Sequence, residues 1–305
     1  MKAFVLGGNG FIGSHLVERL CSAGHQVRVF DRSGDFIQQH NSDVEYVCGE
    51  FADIDLHRSS FDHVDIVYHL ISTTVPSTSN EDPAADVVGN VVPTIKLLDL
   101  LVESKVRKIV FLSSGGTVYG RPARNPVPET APTRPICSHG VTKLAIENYL
   151  HMYRELYGLR YAILRVSNPY GERQGHFGVQ GVIGTFIETI IRNEVIEVWG
   201  DGSVQRDYIY VRDVAEACER AASTDVDGVF NIGSGHGYSI TGVISRLATI
   251  TQRQLEPVYL PARAYDVPRI VLDCKKARET LSWSASTGFS QGIERTWQWA
   301  QSQHR

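Results

Sequence analysis

The sequence has few of the features that mark disulfide-rich or membrane-spanning proteins. Its 305 residues include only five cysteines, and no two of them form a Cys-x-x-Cys pair. Scattered cysteines in an odd number are typical of reduced thiols in a cytoplasmic protein rather than of a disulfide framework. No apolar run approaches the roughly 20 residues that span a bilayer. The N-terminal apolar stretch is also short, so we expect neither a signal peptide nor a membrane partner.

The sequence also has no large excess of charge of one sign. The formal net charge is -4 and the pI is about 6.3, which gives no electrostatic reason to expect nucleic acid as a partner. The eleven histidines are scattered and show no metal-ligand spacing, so we expect no metal site. Hydrophobic residues make up 42% of the chain, and the length allows a large core or two lobes.

The first half of the chain alternates short apolar runs with helical patterns. Continuous apolar strands separated by helices predict an α/β fold with a doubly wound parallel sheet, covered on both faces. The predicted strands are Phe4–Leu6, Val27–Phe30, Val44–Val47, Ile66–Leu70, Ile109–Leu112 and Tyr161–Val166, and the predicted helices include Phe11–Ala23 and Pro83–Ser104.

The pattern changes after Val166, where elements shorten and loops become rich in glycine, proline and aromatic residues. We expect a helix over Gly181–Asn193 and then a strand–helix–strand unit that returns to the first sheet. This unit comprises Arg206–Val211, Val214–Ala222 and Val229–Ile232. The predicted domains are therefore residues 1–166 with 206–233, and a smaller, discontinuous α/β lobe of residues 167–205 with 234–305.

A glycine-rich turn between the first strand and the first helix is the strongest single motif. Gly7, Gly10 and Gly13 fall at the G-x-x-G-x-x-G spacing. A tight turn of this kind lets a backbone approach a pyrophosphate, and the helix N-terminus offers free N–H groups to it. We expect the backbone N–H groups of Phe11 and Ile12 to be cofactor contacts. The motif predicts a Rossmann-type dinucleotide site.

Asp31 ends the second predicted strand, eighteen residues after Gly13. A carboxylate at this place accepts hydrogen bonds from the adenosine ribose hydroxyls. It would also repel a 2′-phosphate, which favours NAD over NADP. Arg32, a further expected cofactor contact, and Arg28 lie nearby and keep NADP as the alternative.

Further motifs follow in a fixed order along the chain. They are Leu112–Gly120, His139-x-x-x-Lys143, Ser167–Gly171, Gly200–Gly202, Arg206–Asp213, Asn231–Gly235 and Arg263-x-x-Asp266. This ordered set resembles that of the extended short-chain dehydrogenase/reductases that act on nucleotide-diphosphate sugars, most of all that of the UDP-hexose 4-epimerases. The resemblance covers almost the whole chain.

The resemblance implies a tightly bound NAD and a C-terminal lobe that grips a UDP-hexose. In that family a Ser or Thr hydrogen-bonds the sugar O4, a tyrosinate removes its proton, and C4 is transiently oxidised. Ser114 matches the Ser/Thr, with Gly115 as the alternative position, and Lys143 matches the lysine that holds the nicotinamide ribose. The resemblance also places cofactor contacts at Glu50, Phe51, Leu70, Ser72 and Asn90, and substrate contacts at Asn168, Arg206, Arg263 and Asp266. Ile270 matches a position that sorts plain from N-acetylated hexoses, and its size leaves both open.

His139 departs from the family pattern, because it stands where the family has its tyrosine base. A neutral imidazole that takes a proton becomes a cation beside Lys143, and nearby positive charge lowers the pKa of a histidine. Three interpretations follow: weakened activity, a different catalytic use of His139 such as relay through water, or NAD binding without chemistry.

Rival functions stay open at this point. A 4,6-dehydratase is disfavoured because no acid follows Ser114 in the loop after the fifth predicted strand. A 4-keto-sugar reductase is harder to distinguish from an epimerase by sequence. A binding protein that holds NAD and a nucleotide sugar without turnover is the alternative outside enzymes. A homodimer, formed through two helices that include the Lys143 helix, is expected by resemblance alone.

Overall fold

The predicted alternation of strands and helices is present in the structure, a computed structural model that describes residues 1–32, 43–174, 181–262 and 267–304. Within these ranges the chain forms thirteen strands, eight α-helices and one 3-10 helix, Phe51–Phe61. The strands are β1 Lys2–Leu6, β2 Gln26–Asp31, β3 Val44–Cys48, β4 Ile66–His69, β5 Lys108–Ser114, β6 Arg160–Val166, β7 Asn168–Tyr170, β8 Glu197–Trp199, β9 Gln205–Tyr210, β10 Gly228–Ile232, β11 Gly237–Ser239, β12 Val258–Leu260 and β13 Arg269–Ile270. The α-helices are α1 Phe11–Ser22, α2 Pro83–Glu103, α3 Ser138–Tyr157, α4 Val182–Ile191, α5 Val211–Ser223, α6 Ile240–Thr251, α7 Lys275–Leu281 and α8 Phe289–Gln303.

Seven strands form the main sheet in the order β10-β6-β5-β4-β1-β2-β3, and every pair in it is parallel. The predicted doubly wound fold is therefore confirmed. The strand order reverses between β1 and β4. In folds of this kind, ligands bind in the crevice outside the carboxyl ends of the strands at such a reversal.

Helices cover both faces of the main sheet, because successive side chains of a strand point to opposite faces. Val5 packs with Leu16 of α1 in one core cluster. Its neighbour Phe4 packs with Leu97 of α2 and Ile146 of α3 in the other. Fully burying one such side chain contributes roughly 1.5–3 kcal/mol. The two faces thereby fix α1 and α3, the helices that carry the predicted cofactor motifs.

The expected return of the strand Arg206–Val211 to the main sheet is wrong. This strand is β9, and it pairs with β7, β11 and β13 in a separate four-stranded sheet. Only β10 joins the main sheet, beside β6. The sequence of β9 begins with polar and charged residues, which suits a strand outside a doubly covered parallel sheet.

A third core cluster lies under the small sheet. It joins Tyr208 and Tyr210 of β9 to Phe186 and Ile187 of α4 and to Trp297 of α8. The small sheet is therefore anchored to helices of the second half of the chain. In the described part of the chain, no helix combines the length and the apolar character that crossing a membrane requires.

Candidate active site

The predicted site residues gather at the carboxyl ends of the main-sheet strands, where β1 and β4 diverge. Gly7 follows β1, Asp31 ends β2, Leu70 follows β4 and Ser114 ends β5. The carboxyl ends of parallel strands meet at one edge of the sheet. Residues far apart in the sequence thus line the same crevice.

The glycine-rich turn has the geometry that an anion requires. Gly7 has φ +84°, a region that glycine reaches without steric cost. A Cβ on Gly13 would lie 2.0 Å from the carbonyl oxygen of Gly7, so helix and turn approach more closely than another residue would allow. The helix α1 begins at Phe11, and its N-cap Gly10 has no side chain to occupy the first free N–H groups. These groups are left for an external phosphate.

Asp31 lies half-buried beside this turn, and the backbone fixes its carboxylate. It accepts hydrogen bonds from the N–H of Asn9 at 3.0 Å and of Arg32 at 2.8 Å. Burial raises the pKa of Asp31, and the two hydrogen bonds only partly oppose this. Arg28 is buried in an ion pair with Glu45 at 2.7 Å. Its guanidinium is therefore engaged away from a 2′-phosphate.

Several further predicted cofactor contacts line the same edge. Phe51 is buried, and its ring lies 5.0 Å from that of His69, centroid to centroid. Glu50 is exposed immediately before it. The N–H of Leu70 donates to the carbonyl of Leu6 at 3.0 Å, which continues the sheet edge. Direct contact of these residues with a cofactor stays a prediction.

Ser72 and Asn90 organise the loop that follows β4. The Ser72 hydroxyl donates to the Thr74 carbonyl at 2.9 Å. The buried amide of Asn90 accepts from the Thr73 N–H at 2.9 Å and donates to the Thr73 hydroxyl at 2.7 Å. It also donates to the Asp86 carboxylate at 3.0 Å. Asn90 therefore supports the loop, and its predicted role as a direct cofactor contact stays a prediction.

Lys143 is buried on α3 and reaches the carboxyl end of β5. Its Nζ donates to the carbonyl of Leu112 at 3.1 Å and lies 4.8 Å from the centre of the Phe111 ring. Burial lowers the pKa of Lys143 to about 8. The ammonium is thus held rigidly at the crevice but remains charged at neutral pH.

Glu147 lies one turn after Lys143 on α3, but its direct partner is on another element. It forms a buried ion pair with Arg165 of β6, with an Nη2–Oε2 distance of 2.6 Å, and accepts a hydrogen bond from the Ser113 hydroxyl. Its charge still raises the pKa of Lys143. Breaking a buried pair by removing one partner costs about 3–5 kcal/mol. This pair therefore anchors α3, and with it Lys143, to the main sheet.

His139 lies one helical turn before Lys143 and is only 8% exposed. Burial, followed by the charge of Lys143, lowers the pKa of His139 to about 4. Sequence reasoning identified the charge but not the larger effect of burial. A hydrogen bond to the Thr74 backbone raises this pKa, so a ring N–H donates to the Thr74 carbonyl. The other ring nitrogen then keeps its lone pair, and the imidazole is neutral at neutral pH.

Asp86 was missed by sequence reasoning. This fully buried carboxylate of α2 accepts from the hydroxyls of Thr74 at 2.6 Å, Ser138 at 2.7 Å and Thr142 at 2.9 Å. Burial raises the pKa of Asp86, but the three hydroxyls and the nearby His139 together lower it, and the net shift is downward. An acid in the first turn of a helix is common because it favours the helix dipole, so nothing in the sequence distinguished it.

The loop after β5 favours Ser114 over Gly115 as the position of the expected hydroxyl. A Cβ on Gly115 would lie 2.6 Å from a methyl of Leu272 and 2.9 Å from the Arg165 carbonyl oxygen. The Gly115 position therefore has no room for a side chain. Ser114 is half-buried at the end of β5 and has such room.

Asn168 and Arg206 come together through the pairing of β7 with β9. The Asn168 amide donates to the Asp207 carbonyl at 3.0 Å. The Arg206 guanidinium donates to the carbonyl of Val267 at 2.5 Å. Both residues are half-buried and bound to backbone in this structure. Their contact with a diphosphate stays a prediction.

The remaining predicted substrate contacts, Arg263 and Asp266, lie outside the described residues. Ile270, expected to sort sugars by size, is buried and packs with Val127 and Leu272 in a small core cluster. Its side chain therefore serves packing in this structure.

The chain is similar to known proteins over nearly its whole length. The family model for the NAD dependent epimerase/dehydratase family matches residues 3–233. The UDP-glucose 4-epimerase of Mycolicibacterium smegmatis is 36% identical, with 97% of each chain covered. A crystal structure of Thermotoga maritima UDP-glucose 4-epimerase with UDP-glucose is 34% identical, with a TM-score of 0.95 and 100% of both chains covered. The Thermus thermophilus UDP-glucose 4-epimerase complex with NAD is 32% identical, with a TM-score of 0.92 and 99% of both chains covered.

The close approach at Gly13 leads to a first prediction. Gly13→Ala places a methyl group against the Gly7 carbonyl and should cost about 1–3 kcal/mol by overpacking. We expect NAD affinity, measured by calorimetry, to fall by about 5- to 140-fold, because the cost falls on the turn that binds the pyrophosphate and each 1.4 kcal/mol is a factor of ten. Gly288→Ala is the matched control, because its Cβ would have no atom within 4 Å. Equal NAD affinity for both variants would contradict binding of the cofactor at the glycine-rich turn.

Proposed function

Because the chain belongs to the NAD dependent epimerase/dehydratase family, we propose that it is a UDP-hexose 4-epimerase that interconverts UDP-glucose and UDP-galactose. The observation that carries this proposal is the end-to-end correspondence with the Thermotoga maritima UDP-glucose 4-epimerase. The crevice at the carboxyl edge of the main sheet, lined by Ser114, His139 and Lys143, supports it.

The residues at this edge fit NAD. The glycine-rich turn from Gly7 to Gly13 and the uncapped N-terminus of α1 suit a pyrophosphate, and Asp31 suits the adenosine ribose. Arg28 is engaged with Glu45, which supports NAD over NADP. When bound, NAD would supply the reversible hydride acceptor that inversion at the sugar C4 requires.

In this proposal His139 is the general base. The hydrogen bond to the Thr74 carbonyl orients the ring, and the second nitrogen takes the proton of the sugar 4-hydroxyl. Ser114 holds the same oxygen by a hydrogen bond. Lys143 binds the nicotinamide ribose, with its ammonium fixed by the Leu112 carbonyl. The proton returns from His139 when the ketone is reduced, so the reaction is redox-neutral overall.

On the substrate side, Asn168 and Arg206 would hold the diphosphate, because guanidinium forks suit phosphate oxygens. We extend this set to Arg263 and Asp266 from the sequence motif alone. The two-lobed division of the chain also stands as a proposal, with the strand β9 belonging to the small sheet of the second lobe.

One observation favours a second candidate, a scaffold that binds NAD and a nucleotide sugar with little turnover. A histidine with a pKa of about 4 is a weak base at neutral pH. Efficient general bases have pKa values near the working pH. The intact binding residues do not by themselves require catalysis.

We further propose a cytoplasmic homodimer. All five cysteines are free thiols, which suits a reducing compartment. The helices α2 and α3 pack side by side and expose apolar side chains at helical spacing. These are Val88 and Val92 of α2 with Val141 and Met152 of α3. An exposed apolar patch of this kind marks a site of protein association.

Incubation with UDP-galactose tests the function directly. We expect UDP-glucose to form without added reductant, and the reverse reaction to reach the same equilibrium mixture, as measured by chromatography of the nucleotide sugars. Product formation that depends on stoichiometric reduced nicotinamide would indicate a reductase instead. Tight binding without product would favour the scaffold.

Replacing the base provides a second test. His139→Tyr should raise turnover by about 10- to 100-fold, a part of the roughly 10²–10⁴-fold that a positioned base contributes. The matched control is His151→Tyr, an exposed position on the same helix, which should leave turnover unchanged. Equal or lower turnover in a folded His139→Tyr variant would show that the phenol is not what limits the chain.

The dimer has its own test in sedimentation equilibrium. We expect a mass of two chains, and a shift to one chain in Val92→Glu because a charge at the patch opposes its burial. Val258→Glu, at an exposed position on β12, should remain dimeric. A monomer in the unchanged protein, or a dimer in Val92→Glu, would contradict this interface.

A further inference from the structure

Asp86 contacts two segments that lie next to His139, the N-terminus of α3 and the loop after β4. Its carboxylate accepts hydrogen bonds from Ser138, which precedes the histidine, and from Thr142, which lies one turn after it. It also accepts from Thr74, whose backbone holds the imidazole ring. One buried anion therefore connects the N-terminus of α3 with the loop after β4, and the ring of His139 lies between them.

The charges around this ring nearly cancel before a proton arrives. The charged groups that act on His139 are Lys143 on its own helix and Asp86 on α2. Glu147, beyond Lys143, is neutralised by Arg165. His69 of β4 is buried, its pKa is lowered to about 3 by burial and by Lys143, and it stays neutral. With a neutral imidazole, Asp86 and Lys143 sum to zero.

Proton transfer to the imidazole changes this sum to +1. Without Asp86 the same step would change it from +1 to +2, and both His139 and Lys143 are buried. A phenolate beside the lysine also passes from zero to +1 when it takes a proton. The Asp86–His139–Lys143 group thus has the charges of a phenolate–lysine pair in both protonation states.

We propose that Asp86 is a positioning residue for the reaction: it holds the His139 ring through Ser138, Thr142 and Thr74, and its charge compensates for the proton that the histidine accepts. This proposal rests on the proposed epimerase function. The electrostatic effect of Asp86 supports this proposal. Its charge raises the pKa of both His139 and Lys143, against the lowering by burial.

The test is a double-mutant cycle of Asp86→Asn and His139→Tyr, measured as kcat and KM for UDP-galactose at neutral pH. In the His139 chain, Asp86→Asn should lower kcat by about tenfold with little change in KM, because the imidazole is already neutral and only becomes a weaker base. In the His139→Tyr background the same change should not lower kcat. Removing an anion there lowers the pKa of the phenol and enlarges its ionised fraction.

Asparagine is close in shape to aspartate and still accepts hydrogen bonds from hydroxyls, so we expect the fold to persist. Asp99→Asn is the matched control, because Asp99 accepts from the Tyr153 hydroxyl at 2.6 Å and also joins α2 to α3. It lies about 20 Å along the helix from Asp86, at 1.5 Å per residue. An equal loss of kcat from Asp86→Asn in both backgrounds, or an equal loss from Asp99→Asn, would overturn the proposal.

If neither the unchanged chain nor His139→Tyr turns over substrate, the proposed function fails and Asp86 is judged separately. The protein is then labelled with ¹³C-histidine, and the His139 signal is assigned by its loss in His139→Tyr. A lower pKa of His139 in Asp86→Asn than in the unchanged chain supports the electrostatic coupling. An unchanged pKa overturns it.

Discussion

The buried ammonium of Lys143 is the constraint on which the site depends. It is fixed by the Leu112 carbonyl and the Phe111 ring, and Glu147, one turn further along α3, is paired with Arg165 instead. A cation in such a place requires its neighbours to be neutral or anionic. His69 and His139 are accordingly held neutral, and Asp86 is held as an anion by hydroxyl donors. The chemistry available at the crevice follows from this arrangement of charge.

The second half of the chain adds the proposed substrate-binding residues to this edge. The strand β7 directly follows β6 of the main sheet, so Asn168 lies only a few residues from Arg165 and its ion pair with Glu147. Pairing of β7 with β9 then brings Arg206 to the same region. Asp207 secures the connection, since its fully buried carboxylate accepts from the Ser234 hydroxyl at 2.7 Å and from the Leu272 N–H at 3.2 Å. The strand β9 is thereby joined to the segments around Ser234 and Leu272.

Local patterns were enough to predict the main sheet and the glycine-rich turn. Apolar runs of five or so residues, a turn that only glycine permits and an acid at the end of β2 are properties of neighbouring residues. The pairing of β9 in the small sheet could not be predicted from neighbouring residues, because it depends on which other strands are available to pair with it. The partner of Glu147 is likewise eighteen residues away on another element. The role of Asp86 could not be predicted for the same reason, because the three hydroxyls that bind its carboxylate come from residues distant in the sequence.

Native mass spectrometry of the purified chain tests the central claim most directly, namely that the Gly7–Gly13 turn holds a dinucleotide against Lys143. We predict a mass increase of one NAD per chain, either retained through purification or restored by added NAD. A chain that is folded but gains no mass from NAD or NADP at saturating concentration would contradict the site, the proposed activity and the role assigned to His139.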